Sequence, residues 1–382
     1  MKRRALLGSF ASAASLALLG LVPTRGLGQG GLDGLTVAVP FGRFDPRAPH
    51  CSSNTGLSRT LAFVRDNDRD FINGVDYGLS LAAADRQLDY VSMNADNSAE
   101  SMVEHLREMQ ARQVGGLVTA PVDPMKSAPI LQELLRAGTY VGTIVPPPAT
   151  TILNAPQYLT GKVLAEAAAA HIRDTMQGRA NVVLLTHDSM QFLSPRFAAM
   201  RDVFREMPEV AIVADISPVT VTEKGGYDTM TNILIAEPQI DVVLGADTVV
   251  LGALAALRDT GMARPDQFVG GIDGEREAVA ELSQPDSPYK TSISLASAIF
   301  GYAMGQHAAD WIEGKSIPKA IDVLPFALTA ENVEAYRADM ADPAKVYADQ
   351  ARLASYLAMY GNTCIGTKDE YVNFPWSSET RF

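Results

Sequence analysis

The sequence predicts an α/β protein of mainly parallel sheets covered by helices, and three observations carry that expectation. Short apolar runs alternate with helical stretches along most of the chain, and these runs end in Gly and acidic loops. After an N-terminal leader about 350 residues remain, which exceeds one ordinary core and calls for two domains. The stretch 241–274, DVVLGADTVVLGALAALRDTGMARPDQFVGGIDG, shows the pattern in full. It reads as a buried strand, a loop carrying Asp247, an Ala/Leu-rich helix, a Pro-containing turn and a second strand ending at Asp273. Ligands of such sheets sit outside the carboxyl ends of the strands, so Asp247 and Asp273 are expected at one binding rim.

Residues 1–29 read as a cleaved signal peptide: basic Lys2, Arg3 and Arg4, an apolar segment over 5–22, then a polar, Gly-rich stretch. Arg3-Arg4 fits the general and the twin-arginine export routes alike. The apolar segment is short and rich in Ala, Ser and Gly, with no stop-transfer pattern after it, which points to export and not to a membrane anchor. The chain carries 32 basic and 44 acidic residues, a net charge of −12 that turns more negative once the leader is gone. That balance argues against nucleic acid and anionic membrane as partners. Cys51 and Cys364 are the two cysteines. In an oxidising compartment a pair is expected to join, tying an early loop to the C-terminal tail.

The elements follow in order. A strand is expected over 35–39, and a helix over 70–85 on the helical spacing of Phe71, Val75 and Leu79. Then come a strand at 88–93, a helix at 98–113 with Ser98 as N-cap, a strand at 116–119, a helix at 128–136 and a strand at 140–144. Pro146-Pro147-Pro148 stops local structure and marks a crossing between lobes. The alternation resumes with helix 161–176, strand 181–185, helix 195–206, strand 210–215, helix 227–237 and strand 242–244. Helix 251–260, strand 268–271 and helix 275–282 complete the series. In the tail, 331–340 and 343–359 look helical, and the aromatic end 371–376 is expected to pack on the first lobe.

Several short motifs recur in a telling order: Asp70-Phe71-Ile72-Asn73-Gly74, Tyr77-Gly78, Ala120-Pro121-Val122-Asp123, Thr160-Gly161-Lys162, Arg196 before an apolar helix, Ala246-Asp247, Gly252-Ala253-Leu254 and Gly271-Ile272-Asp273-Gly274. In order and spacing they resemble the type I periplasmic sugar-binding proteins, the ribose/galactose-type substrate-binding subunits of ABC importers. The resemblance runs from about Leu35 to Leu324. It implies two Rossmann-like lobes joined by a three-crossing hinge and closing over a small ligand. The first lobe is expected over 32–150 plus 295–323, the second over 151–294, with 324–382 forming the last crossing and an extension packed on the first lobe. The resemblance further implies a monomeric periplasmic protein that delivers a sugar or polyol-like ligand to an inner-membrane ABC permease, with no catalytic residue, cofactor or metal. A sensory protein presenting its ligand to a membrane receptor is the alternative, and an exported enzyme the more distant one.

Carried over residue by residue, Arg196 supplies a rigid fork of donors and Asp273 an acceptor for hydroxyl protons. Phe71 is placed at the cleft wall with Arg69 and Asp70 beside it. Asp123 follows a strand end and stands equally as an N-cap, and Asp247 stands equally as the cap of a helix from Thr248. Apolar residues occupy positions where sugar binders place amides or carboxylates: Ala120, Val145, Ala246 and Leu295, with Pro146 in place of an arginine. Such a site suits a ligand with fewer hydroxyls than a pentose or hexose, or a larger and partly apolar one. Residues 42–68 read as an insertion after the first strand that brings Arg43, Asp45, Arg47, His50, Arg59, Arg65 and Asp66 to the mouth.

Other chemistries lack their signatures. The run Asp66-Asn67-Asp68-Arg69-Asp70 has Phe71 where a calcium loop needs its turning Gly. The five histidines show no metal-ligand spacing, and Pro40-Phe41-Gly42-Arg43 stands where a dinucleotide fingerprint would follow the first strand.

Overall fold

A computed structural model describes residues 42–53, 56–144, 148–190 and 193–368. In chain order its elements are β1 (Ser58–Arg65), α1 (Asp70–Asp85), β2 (Asp89–Asn94), α2 (Ala99–Ala111), β3 (Val114–Thr119), α3 (Pro124–Ala137), β4 (Tyr140–Thr143) and β5 (Thr151–Asn154). There follow α4 (Gln157–Thr175), β6 (Ala180–Leu185), α5 (Ser194–Arg205), β7 (Val210–Ile216), α6 (Glu223–Ala236), β8 (Val242–Leu244), α7 (Asp247–Asp259), β9 (Phe268–Asp273), α8 (Arg276–Leu282) and β10 (Tyr289–Ser294). The chain continues through α9 (Ser297–Ile312), β11 (Ala320–Val323), β12 (Phe326–Leu328), α10 (Val333–Ala341), α11 (Pro343–Ala348), α12 (Gln350–Leu353) and β13 (Leu357–Tyr360).

The strands form two sheets, ordered β2-β1-β3-β4-β5-β11-β13 and β7-β6-β8-β9-β10-β12, parallel except for the antiparallel edges β13 and β12. Each lobe thus repeats one doubly wound order, in which the first strand lies between the second and the third. In such sheets the crevice opens where the winding reverses, here between β1 and β3 and between β6 and β8. Apolar residues on both faces of strands such as β1, β6 and β8 drive this arrangement. In β1, Ala62 and Val64 meet α2 and α3 through Met102, Leu106 and Leu131, whereas Leu61 and Phe63 meet α1 and α9 through Val75, Leu79 and Ile299. The second sheet does the same, with Val182 and Leu184 against Leu164, Phe197 and Met200, and Val183 against the α6–α7 side. Helices α1 and α9 pack closely because Gly78 faces α9 directly; a Cβ there would lie 2.1 Å from the Ala298 carbonyl oxygen.

Three expectations need correction. The first described strand is 58–65, inside the supposed insertion, while the expected strand 35–39 lies outside the described residues, as does the 1–29 leader. Arg59 and Arg65 disguise β1 as a charged loop, yet the four residues Leu61 to Val64 are fully buried. The leading segment instead lies along the C-terminal region: Phe44 N–H donates to Met359 O (3.1 Å), and Gly361 N–H to Gly42 O (2.8 Å). The Cys51–Cys364 disulfide closes this seam. Second, 151–154 is a strand of the first sheet, paired with β4 and β11, and not part of the second lobe. Third, the extension does not pack on the first lobe alone. Its chain runs from β12 on the second sheet to β13 on the first, with 343–359 divided into α11, α12 and the start of β13. The end 371–376 lies outside the described residues.

Candidate functional site at the facing strand ends

The carboxyl end of β9 is the best-built part of the rim. Asp273 takes φ +122° and Gly274 φ +72°, a turn that a residue with a Cβ adopts only at a cost. The turn is held from beneath by Asp247, the first residue of α7. Its carboxylate accepts from Tyr289 Oη (2.6 Å), Ser292 Oγ (2.7 and 2.9 Å) and the Glu275 N–H (2.8 Å). Gly274 N–H donates to the same Ser292 hydroxyl at 3.1 Å. Gly271 is required here, because a Cβ would lie 1.9 Å from Asp247 Oδ1. Asp247 is fully enclosed, and burial pushes its carboxyl up to about 6 despite the Tyr289 hydrogen bond. Its expected contact with a ligand is therefore corrected: its oxygens are engaged by protein donors, and it buttresses the turn that presents Asp273.

Asp273 itself is half-buried and accepts no hydrogen bond from the described residues. Burial raises its carboxyl, while the charges of Arg196 and Arg69 work in the opposite sense. Arg196, only 5% exposed, comes from the first turn of α5. Its Nε donates to Gln157 Oε1 (2.8 Å), which sets the plane of the guanidinium, and its terminal amino groups donate to none of the described residues. Burial pulls its pKa down, opposed by Asp273 and Asp247. A fork of donors and a carboxylate thus converge without using each other up.

Glu275 was missed as a site residue, being read only as the start of a helix. Its Oε2 accepts from Thr248 Oγ1 (2.5 Å), and burial pushes the carboxyl up to about 7. The available signal is its place two residues beyond Asp273, in a turn that the sequence already puts at the expected rim.

The first lobe presents a different rim. Arg69 is more than half exposed, donates from Nε to Asn67 Oδ1 (3.1 Å) and pairs with Asp66 at 3.6 Å, yet its charge reaches Asp273 and Glu275. Asp70 pairs across to Arg276 at 3.1 Å, joining the two lobes. Phe71 lies half-buried against Phe300, with ring centres 5.8 Å apart. Asp123 is the N-cap of α3, accepting from the Met125 (2.9 Å) and Lys126 (3.1 Å) N–H groups. Ala120 and Leu295 belong to the apolar core and Ala246 packs against it; Val145 and Pro146 lie outside the described residues. Among the described residues no His, Cys, Asp or Glu cluster could hold a metal, and no helix is long and apolar enough to cross a membrane.

Two doubly wound lobes whose strand ends face each other over unpaired polar side chains define a ligand-binding class of α/β protein. Residues 61–316 match the model of the periplasmic binding protein domain, more than half of the chain, and the chain belongs to that family. The match opens inside β1, in agreement with the corrected first strand. A D-apiose import binding protein of Actinobacillus succinogenes is 37% identical over 94 residues, 24% of this chain and 29% of that protein, so the chain matches less than a third of its length. Among solved structures, a periplasmic ribose ABC transporter protein from Conexibacter woesei aligns over 75% of this chain and 96% of its own (19% identity, TM-score 0.64). A solute-binding protein from Actinobacillus succinogenes with bound D-allose aligns over 72% and 99% (21%, 0.65), and the Caulobacter myo-inositol binding protein over 73% and 96% (20%, 0.62). At these identities the likeness speaks for the fold.

Proposed function

We propose that this protein is a periplasmic solute-binding protein that captures a small sugar or polyol-like ligand and hands it to an ABC permease as a monomer, performing no chemistry. The observation that carries this reading is the convergence of the Arg196 fork and the Asp273 carboxylate, both without hydrogen-bonding partners of their own at those atoms among the described residues. Adjacent hydroxyls can accept from the one and donate to the other, and a buried site of this kind penalises ligands that leave it unpaired. The Asp247 carboxyl is spent on structure, which supports a binding role over an enzymatic one. Ala120 and Leu295, at the carboxyl ends of β3 and β10, are apolar and buried, which favours a compact ligand with few hydroxyls. Support also comes from the names of the similar proteins, which concern apiose, allose, ribose and inositol.

The test is a melting-temperature screen with D-apiose, D-allose, D-ribose and myo-inositol. A ligand at 100 times its Kd stabilises the fold by about 2.7 kcal/mol, a readily measured shift. A panel of sugars and polyols that leaves the melting temperature unmoved would sink the reading.

A further inference from the structure

The chain changes sheets at three crossings, between β5 and α4, between β10 and α9, and between β11 and β12. It then changes a fourth time, because β12 belongs to the second sheet and β13 to the first. This last passage, 329–356, lies wholly beyond the family match, which ends at 316.

Its side chains take hold of the other crossings. Tyr336 Oη shares a 2.6 Å hydrogen bond with Ser294 Oγ, the last residue of β10, and that hydroxyl also accepts from the Ala296 N–H at 2.9 Å. Ala296 itself has φ +47°, so the second crossing turns on a left-handed residue clamped by the extension. At the third crossing Leu324 N–H donates to the Tyr356 carbonyl at 2.8 Å, and Phe326 packs between Tyr336 and Tyr356, with ring centres at 6.4 and 5.0 Å. Contacts also reach outward to both lobes. Arg337 donates to Val279 O (3.1 Å) on α8, while Tyr77 on α1 donates to Ala341 O (2.8 Å). The piece is tied to itself by Asp339, which accepts from Arg352 and Tyr356, each at 2.6 Å. Its far end is fixed by β13 and by the Cys51–Cys364 disulfide.

We propose that residues 329–368 are a hinge brace: a fourth connection that grips two of the three crossings and sets the resting angle between the lobes. The proposal rests on the reading of the molecule as a two-lobed binding protein that closes. Rotation about short crossings needs their backbone dihedrals to change, and hydrogen bonds and stacked rings that span those residues oppose the change.

The experiment places a protease recognition sequence between Ala330 and Glu331, both exposed, and cuts the folded, oxidised full chain. The severed piece stays attached through Cys51–Cys364, so nothing is lost but the fourth connection. Spin labels at Met125→Cys on α3 and Ile235→Cys on α6, positions 83% and 81% exposed, report the inter-lobe distance without ligand. Cutting is expected to broaden the distance distribution and shift it to longer values. Identical distributions for the intact chain, the cut chain and the cut chain carrying Tyr336→Phe and Arg337→Ala, which removes the side-chain grips as well, overturn the brace. If circular dichroism shows the cut protein unfolded, the uncut Tyr336→Phe/Arg337→Ala variant decides in the same way, by broadening or not. Sugar-induced melting shifts are read separately, so a protein that binds its ligand yet does not broaden when it is both cut and substituted at Tyr336 and Arg337 keeps the function and loses the brace.

Discussion

The two lobes share one topology but treat their rims in opposite ways. On the first lobe the charged groups after the strands are all engaged by protein partners: Arg69 with Asp66 and Asn67, Asp70 across to Arg276, Asp123 with the N–H groups of α3. On the second lobe Asp273 and the terminal amino groups of Arg196 are left open, while a closed network under Asp247 holds their surroundings rigid. The contrast puts the open polar groups on one side. The other side supplies long-range charge and closing contacts.

The largest expected effect tests this asymmetry directly. Arg196→Ala should weaken the best ligand from the sugar screen by about 3 kcal/mol, roughly a hundredfold in Kd, with the far-UV spectrum unchanged. Isothermal titration measures it, and retained affinity would show that the open fork is not the grip. Arg196→Lys should recover little, because an ammonium cannot span two hydroxyls as a guanidinium does.

A second expectation separates the lobes by the sign of their pH dependence. Burial pushes Glu275 up to about 7, above its ordinary 4.5, so the folded state holds the proton more tightly. The stability it contributes is present in acid and is lost as pH rises through 7. His307, buried in α9 beside Phe44 and Tyr347, is pulled down to about 4 from 6.5 by the same desolvation, and its contribution is lost as pH falls toward 4. Glu275→Gln should therefore melt with the wild type at pH 5 and above it at pH 8. His307→Leu should lose less stability than the wild type between pH 7 and pH 5. Parallel melting curves for all three proteins would remove the distinction.

Smaller effects belong to the first rim. Asp123→Ala should cost about 1 kcal/mol of stability in a urea titration through loss of the α3 cap, and leave ligand affinity alone. A coupled loss of affinity would promote Asp123 from cap to contact. Arg276→Ala removes an exposed pair and should change affinity by at most about 1 kcal/mol, an effect that fades at high salt.

Much of this fold could be read from residues because burial on two faces leaves unbroken apolar runs, as in Val242–Leu244 and Phe268 to Gly271, and because helices with a stripe such as Val75 and Leu79 announce their period. Strand 58–65 was hidden by arginines at its ends, and 289–294, YKTSIS, by hydroxyls that look like a loop but are buried and bonded to Asp247, Leu328 and Tyr336. Helix 297–312 has apolar and small residues all round, so it lacks a period to detect. At the site, motif order singles out Arg196 and Asp273 as the proposed contacts. The division of labour between Asp247 and Asp273 does not follow from that order, since it turns on which carboxylate meets Tyr289 and Ser292 from a strand that the sequence pattern did not reveal.

The disulfide has one more consequence. Cys51 and Cys364 are 313 residues apart, and every described strand lies between them. Their sulfurs meet only where the leading segment and β13 lie side by side, so the bond certifies a finished molecule. A chain whose synthesis stops before Cys364 carries Cys51 as a lone thiol. Thiol labelling of secreted material would count unfinished copies without any knowledge of the ligand.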